Sequence, residues 1–191
     1  MVSPADVPVI ETGRLTLRPL RASDAGPMTL YASDPRVARM TTSIPHPYPP
    51  GAADAYIAGQ ARRVGERVWA IDASRIGAGE LVGLIVHRAR DAGDGEIGYW
   101  VGPPFWNTGY ASEALAAVVE QVLAEGAESL VARVFADNAA SAHLLGKAGF
   151  VPGGETHAHS VARGETVPAR LWRLDRAGAA KAGLLAGEAE R

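Results

Sequence analysis

The chain has 191 residues, of which 47% are hydrophobic and 21% charged, and its formal net charge at pH 7 is -2. This length and balance predict one soluble globular domain with a substantial core. The small net charge gives no reason to expect nucleic acid or an anionic membrane as a partner. Without a long apolar run or a basic-then-apolar start, the sequence predicts no membrane span and no signal peptide, and the expected location is cytoplasmic.

The chain contains no cysteine. Disulfides, thiolate zinc sites and a cysteine acyl-enzyme are therefore excluded. The sequence also lacks the G-x-S-x-G elbow of serine hydrolases and the P-loop lysine of nucleotidases. If the protein transfers an acyl group, direct attack of the acceptor on the acyl donor is the expected route.

The first half of the chain predicts short strands and helices. Residues 1–10 are rich in proline and are expected to form a flexible arm. Alternating apolar and polar residues predict strands at 14–18, 68–72 and 80–87. Helical spacing and capping residues predict helices at 24–32 after Ser23, at 35–40 after Asp34, and at 52–64. Four prolines within 44–51 exclude regular structure and indicate a fixed, extended loop.

The most informative stretch begins with a strand at 96–101, continues through the turn WNTGYA at 106–111 and enters an amphipathic helix. The apolar residues that repeat at helical steps are Ala111, Ala114, Leu115, Val118, Val119, Val122 and Leu123. The first N–H groups of a helix have no intrahelical partner and lie at its positive end. Because Gly109 permits close approach of the backbone, the turn predicts a phosphate cradle, although such a glycine is as often a simple turn residue.

A second strand, a short helix and a hairpin follow. Residues 129–135 alternate as a strand, and Asn138 is expected to cap a helix that ends at a glycine before the chain re-enters a strand at Phe150. The hairpin arms are predicted at 154–161 and 166–174. The sequence thus predicts one domain over 11–175, followed by a tail at 176–191.

The order of these motifs resembles the acyl-CoA-binding core of the GNAT superfamily of N-acetyltransferases. That order is strand, W-x-x-G-Y-A turn, helix, strand, D-N-x-x-S, helix and K-x-G-F. The opening TGRLTLRPL at 12–20, followed by Ser23 and Asp24, resembles the branch that includes the ribosomal-protein N-terminal alanine acetyltransferases. The expected fold class is α/β (α+β), with a single mixed, mostly antiparallel sheet of about seven strands and helices on both faces.

The resemblance implies acetyl-CoA as a cosubstrate whose pantetheine arm lies between diverging strands at 96–101 and 129–135. Its amides would pair with the strand backbone at Tyr99, Trp100 and Val101. Its pyrophosphate would lie on the turn formed by Trp106, Asn107, Thr108, Gly109, Tyr110, Ala111 and Ser112. The first two of these replace the Gln or Arg and the Gly that are usual in the wider family, but backbone N–H groups remain. Asn138 would contact the pantetheine arm or the thioester while capping its helix.

Acyl transfer to an amine needs a neutral amine and a protonated leaving thiol, and amine pKa values of roughly 8 to 10.4 call for a base at neutral pH. Glu96 matches the glutamate base of many family members, with Glu80 as a weaker candidate; a solvated Glu96 at a turn exit is the alternative. The position of the family's tyrosine acid is Leu145, which cannot donate a proton. Ser141, or a water that it holds, is therefore the candidate acid, unless it merely packs in its helix.

The acceptor is expected to be a primary amine, on a protein N-terminus or a small molecule. The residues expected to line its site are Tyr48, Trp69 and His157, with Tyr56 and His159 as further candidates. His157 and His159 share a strand face, but no third ligand is indicated and no metal is expected. A non-catalytic acyl-CoA-binding sensor or partner protein and a pure nucleotide-binding protein remain alternatives. The expected assembly is a monomer or a homodimer.

Overall fold

Residues 7–90 and 93–185 are described by a computed structural model of the chain. The strands in this part of the chain are β1 Ile10–Glu11, β2 Thr16–Pro19, β3 Glu66–Asp72, β4 Gly83–Ala89, β5 Asp94–Val101, β6 Ser129–Phe135, β7 Val151–Ser160 and β8 Glu165–Asp175. The helices are α1 Ala25–Ala32, α2 Pro35–Ala38, α3 Ala52–Gly59, α4 Tyr110–Ala124, α5 Ala139–Lys147 and α6 Arg176–Lys181. The strands form one sheet in the order β1-β2-β3-β4-β5-β6-β8-β7, in which β5 and β6 are parallel and the other pairs antiparallel.

This single mixed sheet confirms the predicted fold class. The eighth strand is β1, a short edge strand paired with the first residues of β2. Strand β4 begins at Gly83 and not at Glu80, because the residues before it still complete the turn from β3, in which Ala73 N–H donates to Gly79 C=O. Helix α3 ends at Gly59 and is followed by a single 3-10 turn at Gln60–Arg62, short of the predicted end at 64.

Helix α4 packs its apolar side against one face of the sheet, as its periodicity predicts. Except for the partly buried Ala111, the predicted positions are buried: Ala114, Leu115, Val118, Val119, Val122 and Leu123. They share one cluster with Trp69 of β3, Ile97 of β5 and Leu130 of β6. We call the side of the sheet that this cluster covers the α4 face.

The opposite side of the sheet carries helices α1 and α3. Val68 and Ala70 alternate with Trp69 along β3 and pack with Met28 of α1 and Ala53 of α3. This is the period of two that places neighbouring strand residues on opposite faces. We call this side the α1/α3 face.

A buried arginine fixes the start of the first helix to the sheet. Arg18 is 2% exposed and Asp24 is 1% exposed, and two hydrogen bonds of 2.9 Å join them. Arg18 Nε also donates to Asp72 at 2.8 Å, and Nη2 donates to Glu80 C=O at 2.7 Å. Hydrogen bonding to Asp24 raises the pKa of Arg18 above its usual value. Both carboxylates are paired with the guanidinium, so we interpret the cluster as structural. Helix α1 begins directly after Asp24, and the predicted Ser23 cap is not formed.

The described parts of the predicted arm and tail pack against the domain. Pro8 C=O accepts a hydrogen bond of 2.8 Å from the indole of Trp69. Ala179 of α6 is fully buried, and Leu184 and Leu185 contact the same core. The remaining predicted arm and tail, residues 1–6 and 186–191, lie outside the described residues. None of the described helices combines the length and apolar character needed to cross a bilayer.

One buried histidine makes the stability of this core sensitive to acid. His87 of β4 is 6% exposed, and its Nε2 has no hydrogen-bond partner among the described residues. Burial, followed by the nearby charge of Arg67, lowers the pKa of His87 from 6.5 to about 4. The imidazole lies directly against Gly95 of β5, in the space that a Cβ would need, since a Cβ there would be 2.4 Å from His87 Nε2.

Below about pH 6.5 the unfolded chain binds a proton at His87, whereas the folded chain binds it only below about pH 4. As the pH falls through this window, His87 should therefore lower the free energy of unfolding by about 3 kcal/mol. At higher pH the contribution of His87 should not change. In His87→Gln, the free energies of unfolding obtained from denaturant titrations at pH 7 and pH 4.5 should differ less than in the wild type. His159→Gln, at an exposed histidine, is the control, and an undiminished difference in His87→Gln would refute this assignment.

Candidate active site

The parallel strands β5 and β6 separate soon after they meet. They pair over three residues, from Asp94 with Ser129 to Glu96 with Val131. Beyond this point β5 continues to Val101 and β6 to Phe135 without pairing to each other. The two strands thus leave a gap at their carboxyl ends, where the family resemblance implies that the pantetheine arm lies.

Only alternate residues of β5 direct backbone groups into this gap. Gly102 N–H donates to Val82 C=O, and hydrogen-bonded pairs alternate along an antiparallel ladder. Trp100 therefore exchanges its backbone hydrogen bonds with Leu84 of β4, and its predicted pairing with pantetheine is wrong. Tyr99 and Val101, in contrast, direct their N–H groups toward the gap.

The turn before α4 has the backbone geometry of an anion cradle. Asn107 has φ of 60° and Gly109 has φ of 85°, so two left-handed residues flank Thr108. Gly109 is the N-cap of α4 and no side chain caps the helix, which leaves the N–H groups of Ala111 and Ser112 directed outward. Left-handed residues beside a helix N-terminus gather N–H groups into a concave site for anions.

An arginine from the N-terminal segment lies directly behind the cradle. Arg14 Nε donates to Glu113 Oε2 at 2.7 Å, and Nη1 donates to Thr108 C=O at 2.9 Å. A Cβ at Gly109 would lie 3.1 Å from Arg14 Nη2. Although burial raises it, hydrogen bonds from Thr12 and Arg14 hold the pKa of Glu113 below its usual value. Sequence reasoning missed Arg14 as a site residue, and the only signal for it was its place in the TGRLTLRPL segment.

Trp106 and Tyr110 shape the cradle without offering their side chains to a ligand phosphate. The indole N–H of Trp106 donates to Val101 C=O at 2.7 Å, and the guanidinium of Arg36 lies 5.3 Å from its ring centroid. The Val101 carbonyl therefore already accepts one hydrogen bond, whereas its N–H has no partner on β4. Tyr110 is 7% exposed and belongs to the core cluster, so its part in the cradle is its backbone.

The hydroxyls of Tyr99 and Ser141 meet at the open end of the gap on the α4 face, close to the start of α5. Asn138 caps α5 by accepting a hydrogen bond from Ser141 N–H at 3.1 Å, as its sequence position predicts. The hydroxyl of Ser141 lies 2.8 Å from that of Tyr99. Leu145, where the resemblance places a tyrosine acid, is fully buried. The sequence did not show that Tyr99 would meet Ser141.

Glu96 lies on the other face of the sheet, at the last paired residue of β5. It shares its face with Trp100, which packs against the α1/α3 cluster. Its Oε2 forms an ion pair with Arg90 Nη2 at 3.1 Å, and its side chain is 20% exposed. The weaker candidate base, Glu80, is exposed in the connection between β3 and β4. Glu96 and Ser141 therefore approach the gap from opposite faces.

The residues predicted to line an acceptor site are dispersed. Trp69 is fully buried on the α4 face, so its prediction as a lining residue is wrong. His157 is exposed on the edge strand β7, on the opposite face from the buried Ala158. Tyr48 is partly buried against the α1/α3 cluster and remains compatible with that role. Among the described residues, no group of three His, Asp or Glu side chains is placed to hold a metal ion.

The tip of the β7–β8 hairpin contacts the segment that joins α2 to α3, above the α1/α3 face. Val161 N–H donates to Thr42 C=O at 3.2 Å, and Arg163 Nε donates to Arg39 C=O at 2.9 Å. Ala162 packs against the small apolar cluster around helix α2. Because these two segments touch, they cover this part of the α1/α3 face, beside Trp100.

Comparisons with known proteins agree with this geometry. Residues 14–151 match the model of the acetyltransferase (GNAT) domain. The uncharacterized N-acetyltransferase YoaA of Bacillus subtilis is 34% identical over 151 residues, covering 75% of this chain and 82% of YoaA. Mycobacterium smegmatis RimJ, solved with CoA-disulfide, is similar in structure with a TM-score of 0.77 and 20% identity, over 93% of this chain and 91% of that one.

The microcin C7 self-immunity acetyltransferase MccE, solved with acetyl-CoA and AMP, has a TM-score of 0.74 and 14% identity, over 86% of this chain and 93% of that one. At these identities the structural matches establish the fold alone. The family is established by the domain model, which covers most of the chain. The predicted resemblance is confirmed: the chain belongs to the GNAT acetyltransferase family.

Proposed function

We propose that this protein is an acetyl-CoA-dependent N-acetyltransferase that moves an acetyl group to a primary amine by direct attack in a ternary complex. The observation that carries the proposal is the gap between β5 and β6, which opens beside an uncapped helix N-terminus. An extended arm ending in a pyrophosphate fits this combination, because the strand edge and the helix end supply N–H groups for both parts. The acetyl-CoA and CoA bound in MccE and RimJ support it.

In the proposed complex, the pantetheine amides pair with the backbone of Tyr99 and the N–H of Val101. The pyrophosphate lies on the backbone N–H groups between Asn107 and Ser112, and the guanidinium of Arg14, which is paired with Glu113, lies behind them. The free side-chain amide of Asn138 faces the pantetheine arm, since its Oδ1 is used by the helix cap. No step requires a metal.

The proposed chemistry divides between the two faces. Glu96, on the α1/α3 face, takes the proton of the attacking amine directly or through a water. The thioester carbonyl is polarised by the backbone at the end of β5. Ser141, on the α4 face, meets the sulfur of the leaving thiolate. The proposed base and the group that meets the leaving thiolate thus come from opposite faces of the sheet, with the acetyl carbon between them.

The acceptor is a primary amine on a slender chain end or a small molecule. The hairpin tip contacts residues 39–42 over the α1/α3 face beside Trp100, and a bulky folded surface cannot enter there without displacing the tip. Titration calorimetry with acetyl-CoA, followed by thiol release over peptide N-termini and small amines, tests the proposal. Binding with turnover supports it, binding without turnover on any acceptor favours a CoA-binding sensor, and no binding refutes both.

Replacing Glu96 by glutamine should lower kcat about 100-fold near pH 6.5 and leave the Kd for acetyl-CoA nearly unchanged. The loss should shrink as the pH nears the acceptor's own pKa, because the free amine then needs no base. Initial rates from pH 6 to 9.5 measure this. Glu80→Gln is the matched control and should retain wild-type rates; equal profiles for Glu96→Gln and the wild type would remove Glu96 from the mechanism.

Replacing Gly109 by valine should raise the Kd for acetyl-CoA at least tenfold, because a β-branched residue is strained at φ of 85° and its Cβ would crowd Arg14. Gly77→Val controls for backbone strain alone, since Gly77 has φ of 75° in open space. Calorimetry on both variants, each checked for folding by its thermal melt, separates the effects. Wild-type affinity in a folded Gly109→Val would rule out the cradle.

Replacing Arg14 by methionine should raise the Kd for acetyl-CoA about tenfold in low salt, with a smaller effect in high salt, because the lost charge lies behind the proposed pyrophosphate site. Arg170→Met removes a half-exposed arginine of β8 and serves as the control. Titrations in 50 mM and 500 mM salt measure both. An Arg14→Met variant that binds as tightly as the control contradicts the assignment.

A further inference from the structure

Tyr99 and Ser141 share one hydrogen bond, and either hydroxyl can be its donor. Tyr99 packs against the α4-face core, and burial raises the pKa of its phenol to about 12. The phenol therefore keeps its hydrogen at physiological pH, and this part-buried hydroxyl has a protein acceptor within reach. Among the described residues that acceptor is Ser141 Oγ, at 2.8 Å.

When Ser141 Oγ accepts from Tyr99, the hydrogen of Ser141 is left for a third group. Ser141 is partly exposed in the first turn of α5, whose backbone N–H at this residue is already bonded to Asn138. A hydroxyl that accepts one hydrogen bond becomes a better donor of its own. Tyr99 lies on the unpaired part of β5, so this donor stands beside the gap.

We propose that Tyr99 is a positioning residue that aims the Ser141 hydroxyl at the sulfur of the leaving group, so that the thiolate is stabilised by a hydrogen bond and not by proton transfer. This inference rests on the function proposed above. The thioester C–S bond breaks and its electron pair goes to sulfur. The proton that the amine gave to Glu96 passes to water, and water protonates the released thiolate.

Neither hydroxyl loses its proton in this scheme. A phenol with a pKa of about 12 does not give its proton to a thiolate whose thiol has a pKa of about 8.5. A hydrogen bond to the charged form is enough to favour it. The Tyr99–Ser141 pair therefore takes the role of the tyrosine acid, whose position in this chain is occupied by Leu145.

The pKa of the thiol of bound CoA tests this without any acceptor. The ultraviolet absorbance of the thiolate is followed from pH 6 to 10 in saturated complexes, with desulfo-CoA complexes as blanks. The wild type should lower the thiol pKa by about one relative to free CoA. Tyr99→Phe and Ser141→Ala should each abolish most of this lowering, and the double variant should lose no more than either. Ser33→Ala is the control and should match the wild type.

Turnover gives an independent readout. Tyr99→Phe should lower kcat about tenfold with an unchanged KM for acetyl-CoA, which a merely structural role would not separate. A wild-type thiol pKa in folded Tyr99→Phe, or no lowering in the wild type itself, would overturn the inference while leaving acetyl-CoA binding intact. Failure of the wild type to bind CoA would instead overturn the proposed function and this inference together.

Discussion

Strands β5 and β6 pair for three residues and then part, and the candidate site depends on this interruption. A parallel pair normally satisfies the backbone groups between its strands along its whole length. Here Tyr99 and Val101 keep N–H groups directed at an opening that no other strand fills. Unpaired backbone groups inside a fold cost free energy unless a partner supplies the missing hydrogen bonds. An extended ligand that pairs with this edge supplies them.

The elements around the gap are fixed by contacts distant in sequence. Arg14 and Glu113 join the N-terminal segment to the first turn of α4, and Trp106 ties the cradle loop back to the end of β5. On the other face, the buried Arg18 cluster fixes the start of α1 to the sheet. The site is therefore held by rigid neighbours on both sides of the sheet, which is what a pre-formed binding site requires.

Local patterns predicted much of this arrangement. The face of α4, the cap at Asn138 and the turn at Gly109 follow from spacing and backbone preferences within a few residues. The role of Trp69 was misjudged because alternation along a strand does not say which face meets which helix. The role of Trp100 was misjudged because the sequence does not say which backbone groups of β5 are already bonded to β4. The pairs Arg14 with Glu113 and Tyr99 with Ser141 are 99 and 42 residues apart, and local periodicity carries no information about such contacts.

The central claim is that the open edge of β5 and the turn before α4 bind acetyl-CoA together. Amide hydrogen exchange with and without acetyl-CoA tests it most directly. The account predicts that the ligand slows exchange at Tyr99, at Val101 and at residues 107–112, and leaves Trp100 unchanged because β4 already protects it. Tight binding without protection at Tyr99 and Val101, or protection confined to another part of the chain, would contradict the account.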